Sequence, residues 1–334
     1  MFRGITITLR NIKILKPPKL KKGDFVGIIA PSAPIYGDQK QNFERGIQTL
    51  QQLGLKVKYT KHIHDRYYYM AGTRETRIDD FNNMWSDPEI KMVLMTQGGQ
   101  VANHLLDGIN YEKIKKNPKI FAGISDGTTL LNAIFSKTGL VTYHGPDLLW
   151  TFGFEITPSI KDNIVKTFFE GSVGRLSPNP HWVNQTNPNL KYEGWKCLRK
   201  GEAKGILIGG HIRNLCYLMA AGYSPDFAKS ILFLEGTDDI ANLDRQFTIL
   251  KLAGVFDKIN GLILGWFEGS NTGNTEDYRI VSDVILEITK NYSFPILEIG
   301  ELGHNVENYV FPIGCEAVMR SDELYLSIDE PTVL

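Results

Sequence analysis

The 334-residue chain is short of cysteine, with three, and has no excess of either charge: 37 cationic side chains face 37 acidic ones. Cys197, Cys216 and Cys315 are odd in number and lack C-x-x-C spacing. That argues against a disulfide framework and a thiolate metal site, and suits a reducing compartment. The balanced charge leaves no overall field to draw nucleic acid or an anionic membrane surface. Long hydrophobic runs are also missing, and none approaches the roughly 20 residues that span a bilayer. Near the N-terminus Arg10, Lys13 and Lys16 interrupt every candidate signal-peptide core. The expectations are a cytoplasmic protein with no nucleic-acid and no membrane partner, acting on a small molecule or peptide.

What the chain does contain is a set of short apolar runs, each ending near Gly, Ser or Asp. Those at 25–30, 92–95, 120–124 and 140–143 read as buried strands. Helical spacing lies between them at 43–53, 74–85 and 128–137, the first and third stopped by Gly54 and Gly139. Alternation of this kind predicts an α/β fold, with a doubly wound parallel sheet whose ligands sit beyond the C-terminal strand ends. The working edge is then 31–34, 97–99 and Ser125. Residues 1–20 read as an N-terminal extension and 21–150 as this first domain. Pro158, Pro178, Pro180 and Pro188 break the pattern over 151–204, a linker and surface segment with one helix at 159–169. Strand runs resume at 205–208, 230–234, 261–266, 294–299 and 324–328, with helices at 213–219, 243–253 and 278–290. These imply a second, smaller, β-rich α/β domain over 205–330.

Ser125 sits where a strand meets a helix, in Gly123-Ile124-Ser125-Asp126-Gly127. Glycines two residues either side permit a sharp turn that exposes the hydroxyl and aims the Asp126 N–H at a developing oxyanion. A chance match would leave Ser125 a plain helix N-cap. A nucleophilic serine needs a base and an orienting acid. Glu235 at a strand end and His304 in Gly303-His304-Asn305 supply them in an allowed chain order, although each residue alone has an ordinary structural reading. His144 and His211 are rivals for the base. The pair Gly98-Gly99, at another strand exit, could present a second oxyanion donor or be a simple tight turn. His62 and His64 form H-x-H with no third ligand in sequence, so a surface pair is expected there.

With these segments in view, the chain resembles the LD-carboxypeptidase family, which includes muramoyltetrapeptide carboxypeptidases and microcin C immunity-type peptidases. The resemblance runs from about residue 19 to 328. It is carried by Lys21-Lys22-Gly23-Asp24 with Gly27 to Ser32, by 71–77, 117–126 and 137–146, by 231–235, and by Gly303-His304-Asn305 with 311–314. It implies a serine peptidase that hydrolyses the amide bond to a C-terminal residue, with Ser125, Glu235 and His304 as catalytic residues. It implies oxyanion donors at Gly98, Gly99 and Asp126, and a peptide or peptidyl-nucleotide substrate. No cofactor and no metal are implied, and family members are commonly homodimers.

Three departures bear on substrate choice. Gln97-Gly98-Gly99-Gln100-Val101 stands where many murein-directed members have Arg-Gly-Gly-Tyr-Gly. His211 stands where the family has Asn, and Gly127 where an aliphatic residue is usual. Together with the tryptophan-bearing 147–200 segment, these make Gln97, His211 and Trp182 the candidate substrate contacts. An α/β-hydrolase-type esterase, with all three catalytic residues on loops of one sheet, and a non-catalytic ligand-sequestering immunity protein are the alternatives.

Overall fold

The computed structural model describes residues 13–269 and 279–334. Residues 1–12 of the N-terminal extension, and Tyr278 of the helix expected at 278–290, lie outside them. The first sheet takes β1 (Phe25–Ile29), β2 (Lys56–Tyr59), β3 (Ile90–Met95), β4 (Ile120–Gly123) and β5 (Thr142–His144). The second takes β6 (Gly174–Leu176), β7 (Lys196–Arg199), β8 (Glu202–His211), β9 (Ile231–Gly236), β10 (Gly261–Phe267) and β11 (Ile296–Gly303). After β12 (Phe311–Ile313), which returns to the first sheet, β13 (Glu316–Arg320) and β14 (Tyr325–Ile328) complete the second.

The first sheet has the order β12-β5-β4-β3-β1-β2, parallel except for β12. Strand order therefore reverses between β1 and β3, and the C-terminal strand ends at such a point form a natural crevice for ligands. The central strands β3 and β4 are buried along almost their whole length, as their continuous apolar runs require. Helices α1 (Lys40–Gln52), α2 (Arg74–Ser86), α3 (Tyr111–Lys116) and α4 (Gly127–Thr138) are the crossovers. α1 turns Phe43, Gly46 and Leu50 inward at helical spacing. The Thr73 hydroxyl accepts the Thr76 N–H to start α2, and Gly139, left-handed at φ 75°, ends α4. α4 is buried on nearly all sides, packed against its own sheet and against β8 and α6 (Ile212–Ala220) of the second.

The second sheet has the order β6-β14-β13-β8-β9-β10-β11-β7, with a parallel core from β8 to β11. Helices α5 (Pro158–Val165), α7 (Ile240–Leu252) and α8 (Val281–Ile288) complete the described set. This is the expected α/β fold with a β-rich second part. Two of the differences from the sequence reading concern the second sheet and the join between the halves. The 151–204 segment, read as linker, supplies β6 and β7, which makes the second sheet the broader one. The strand β12 crosses back, pairing Phe311 with His144 and Ile313 with Thr142. The two halves are thus joined by backbone hydrogen bonds as well as by packing.

Candidate active site

Ser125 follows β4 and immediately precedes the first turn of α4, at φ 60°. A left-handed backbone is costly for a residue with a side chain and is found where the surroundings enforce it. Here the enforcement is packing. A Cβ on Gly123 would lie 2.5 Å from Met95 Sδ, and one on Gly127 would lie 2.8 Å from the same sulfur. Met95 fills the space that side chains at both glycines would need. Gly127, the family departure, is matched by a large neighbour and does not loosen the turn.

The turn is also tied down through the Asp126 side chain. Its Oδ2 accepts Ser32 Oγ at 2.6 Å and the Ala102 N–H at 2.8 Å, and its Oδ1 accepts Asn214 Nδ2 at 2.7 Å. Ser32 Oγ accepts the Val101 N–H at 3.0 Å. One buried carboxylate thereby fixes the β1 exit, the glycine loop after β3, and α6 to the residue next to Ser125. Arg77 braces the same region, donating to the Pro31 and Val101 carbonyls at 2.7 and 3.1 Å. Ser32 and Asp126 lie in segments the sequence marks, but the roles of the Ser32 hydroxyl, Asn214 and the Asp126 carboxylate were not singled out from sequence.

Gly98 and Gly99 lie against this turn. A Cβ on Gly98 would sit 2.6 Å from Ser125 Cβ, 2.7 Å from its Oγ and 3.2 Å from the Asp126 nitrogen. Gly99 adopts φ 145°, and a Cβ there would strike Ser32 Oγ at 2.3 Å. No larger residue fits at either position without moving the Ser125 hydroxyl or its supports. We expect Gly98→Ala, whose Cβ would push the loop and the Ser125 hydroxyl apart, to lower hydrolytic turnover by about 10²–10³-fold, as much as losing one oxyanion donor costs. Turnover within a few-fold of wild type would show that the loop and hydroxyl do not work together.

Glu235 ends β9 and His304 directly follows β11, both at the C-terminal edge of the parallel core. His304 Nδ1 and Glu235 Oε2 are 2.7 Å apart. Glu235 is fully buried and His304 partly exposed. Burial by itself would raise the Glu235 carboxyl, but His304, then His211 and His144, hold it down at about 2. For His304 burial is the largest influence and lowers the imidazole pKa; the Glu235 charge and hydrogen bond, with the charges of Asp147 and Glu268, together outweigh it, and the net direction is up.

Ser125 and His304 line the same two adjoining cavities, of about 390 and 270 Å³. Among the described residues no hydrogen bond joins the two side chains, and catalytic contacts of this kind commonly tighten only on substrate. His144 lies 3.8 Å from Glu235 Oε1, is wholly buried and lines neither cavity, with burial holding it neutral at about 4. His211 does line the larger cavity and is likewise pushed to about 4 by burial. Because Ser125 comes from the first sheet while Glu235 and His304 come from the second, the single-sheet α/β-hydrolase arrangement is not the one the chain adopts.

The three candidate substrate contacts are placed differently. Gln97 lines the smaller cavity, but its amide is spent on the scaffold: Nε2 donates to the Pro34 carbonyl at 2.7 Å, and Oε1 accepts Trp150 Nε1 at 3.2 Å. Trp182 lines neither cavity at Ser125. Its indole donates to the Gly300 carbonyl at 2.8 Å, and its ring packs on Tyr192 and Trp266. Trp150 is the aromatic residue on the smaller cavity, 40% exposed and stacked on Phe154. Beside it the Asp147 carboxyl, pushed up by burial to about 7, accepts the Trp150 and Thr151 N–H groups. His62 pairs with Asp80, Nδ1 to Oδ1 2.9 Å, away from the site.

Comparison with known proteins agrees with this architecture. Residues 26–145 match the LD-carboxypeptidase N-terminal domain and residues 204–319 the LD-carboxypeptidase C-terminal domain. The microcin C7 self-immunity protein MccF of Escherichia coli is 30% identical over 93% of this chain and 94% of its own. A probable murein peptide carboxypeptidase of Bacillus subtilis is 30% identical over 92% of each. The solved structure of MccF in complex with aspartyl sulfamoyl adenosine superposes with a TM-score of 0.86 at 29% identity, covering 96% of this chain and all of that one.

Proposed function

The chain belongs to the LD-carboxypeptidase family, and from that premise we propose a serine carboxypeptidase with Ser125 as nucleophile, His304 as base and Glu235 as orienting acid. One observation carries the reading: the 2.7 Å His304–Glu235 bond opens onto the cavity in which a left-handed Ser125 stands against Gly98. His304 takes the Ser125 proton as Oγ attacks the carbonyl carbon of the scissile amide. The N–H groups of the Gly98-Gly99 loop and of Asp126 receive the oxyanion. Collapse breaks the C–N bond, and the proton on His304 goes to the departing amine. Water, deprotonated by His304, then hydrolyses the ester and restores Ser125. Glu235 keeps the imidazole in the tautomer that accepts at Nε2.

The substrate in this reading is a peptidyl or acyl-aminoacyl nucleotide. The exposed Trp150 face offers a flat surface on which a base can stack, and the ligand named in the MccF complex supports the same class. A murein tetrapeptide is the second reading, supported by the Bacillus subtilis relative. The resemblance further implies a cytoplasmic enzyme working as a homodimer.

The deciding experiment incubates the purified chain with an acyl-aspartyl adenylate analogue and, separately, with L-Ala-D-Glu-diamino-acid-D-Ala tetrapeptide, reading released groups by mass. Release of the aspartyl nucleotide is expected. Release of D-Ala alone would transfer the protein to the murein class. No release from either, with no labelling by a fluorophosphonate, would sink the hydrolase reading.

A further inference from the structure

We propose that His211, Glu235 and His304 form a binding site for a divalent cation of zinc-like chemistry, and that filling it switches the serine site off. One ligating atom from each of the three side chains lies within 4.8 Å of the other two. Around a tetrahedral Zn²⁺ with bonds of about 2.0–2.2 Å, ligand atoms stand roughly 3.3–3.6 Å apart, so closure needs side-chain movement of only about an ångström. Two imidazoles and a carboxylate are a zinc donor set, with the fourth position left to water.

The three residues are brought together by the parallel core. His211 and Glu235 are register partners at the ends of β8 and β9, and His304 follows β11. The rings of His211 and His304 meet edge to face at 5.3 Å. Two donors on this cluster make no hydrogen bond, and the nearest charge partner of one, His144 Nε2, stands 3.8 Å from Glu235 Oε1. His211 Nδ1 and Glu235 Oε1 are buried and have no hydrogen-bond partner, a costly state that a shared ligand relieves. The larger cavity, lined by Ser125, His211 and His304, is the entry path.

The switch follows from imidazole chemistry. A neutral ring has one nitrogen lone pair to offer and carries its proton on the other nitrogen. Whichever nitrogen of His304 holds the metal, the other keeps the proton, and neither can accept one from Ser125. No bond to substrate is made or broken by the cation. This second half rests on the serine-peptidase reading; cation binding itself does not.

The test uses the untagged full-length protein. Zn²⁺ is competed between the protein and a chromogenic chelator of micromolar affinity, and fluorophosphonate labelling is followed in parallel. We expect one Zn²⁺ per chain, at least a tenfold weakening by His211→Asn, and loss of labelling on Zn²⁺ addition that EDTA reverses. A wild-type chain that fails to compete overturns the site, whatever the variants do. Equal affinity in His211→Asn, or loss of binding on His62→Ala/His64→Ala, overturns it as well, the latter by placing the ion on the surface pair. Should His211→Asn not fold, Co²⁺ bound to the wild type decides: intense tetrahedral d–d bands support the site and weak octahedral ones overturn it. Labelling unaffected by bound Zn²⁺ overturns the switch. A metal-free chain that never labels defeats the peptidase reading instead, while chelator competition still reads the site.

Discussion

Replacing Ser125 by alanine is expected to lower hydrolysis by about 10⁴–10⁶-fold, the range found when the nucleophile of a serine–histidine–acid site is removed. The remainder comes from the oxyanion donors and from substrate binding, which the substitution leaves in place. The fold should survive, because the turn is held by Met95 behind Gly123 and Gly127 and by the Asp126 carboxylate, not by the hydroxyl. Ser125→Gly separates chemistry from stability. It removes the hydroxyl as completely, yet relieves a side chain at φ 60°. A left-handed conformation costs a non-glycine residue roughly 1–2 kcal/mol, partly offset by the greater freedom of glycine in the unfolded chain. Glycine should therefore be inactive and at least as stable as wild type, by up to about 1 kcal/mol in chemical denaturation. Alanine activity within tenfold of wild type would remove Ser125 as nucleophile. Retained ligand affinity with no turnover even in the wild type would favour a sequestering protein.

The second large effect is expected at Glu235. Glu235→Gln keeps the size of the side chain but removes the charge that faces His304 Nδ1 at 2.7 Å. Loss of the correct tautomer and of imidazolium stabilisation should lower kcat/KM by about 10³–10⁴-fold. The pH profile carries the sharper signature. A general base must be neutral, so activity rises as pH passes its pKa. In the wild type burial lowers the His304 pKa, and the Glu235 charge and hydrogen bond, with the charges of Asp147 and Glu268, together raise it by more, which places the rising limb above the ordinary 6.5. Without the Glu235 carboxylate, burial is opposed only by the weaker influence of Asp147 and Glu268, and the limb moves to lower pH. An unmoved limb would mean that the titrating base is not His304. Stability has its own sign. A carboxyl lowered from 4.5 to about 2 on folding contributes stability that is complete above 4.5 and fades as pH falls toward 2. The glutamine variant should lack that part of the acid destabilisation, which urea midpoints at pH 3 and pH 7 would read.

Much of the first sheet was legible in the sequence because buried parallel strands are continuous apolar runs. β1, β3 and β4 lie within or beside their expected ranges. Most of the strands that escaped are short or polar edge strands; β13, inside the second sheet, escaped because its buried residues alternate with exposed and half-buried ones. β2 is Lys-Val-Lys-Tyr at an open edge, and β6 and β7 lie among prolines and asparagines. β12 is three residues whose partner is about 170 positions earlier in the chain. Edge strands gain little from apolar side chains and draw their order from a neighbour, so pattern alone does not reveal them.

The division at the site has the same cause. Local chemistry determines where a serine can occupy a strand-to-helix turn, where paired glycines permit close approach, and that Glu235 and His304 stand at strand ends. Each of those properties depends on residues within a few positions, and each was readable. Which histidine meets Glu235 could not be read that way. His144, His211 and His304 all follow or end strands, and the choice comes from the parallel register of β8 to β11 and from how β9 and β11 end. The hub on Asp126, the three-histidine shell around one buried carboxylate, and Trp150 at the cavity were decided by tertiary structure alone. Contacts between residues 69 or 88 positions apart follow from how whole sheets pack, and no local stretch of sequence encodes that distance.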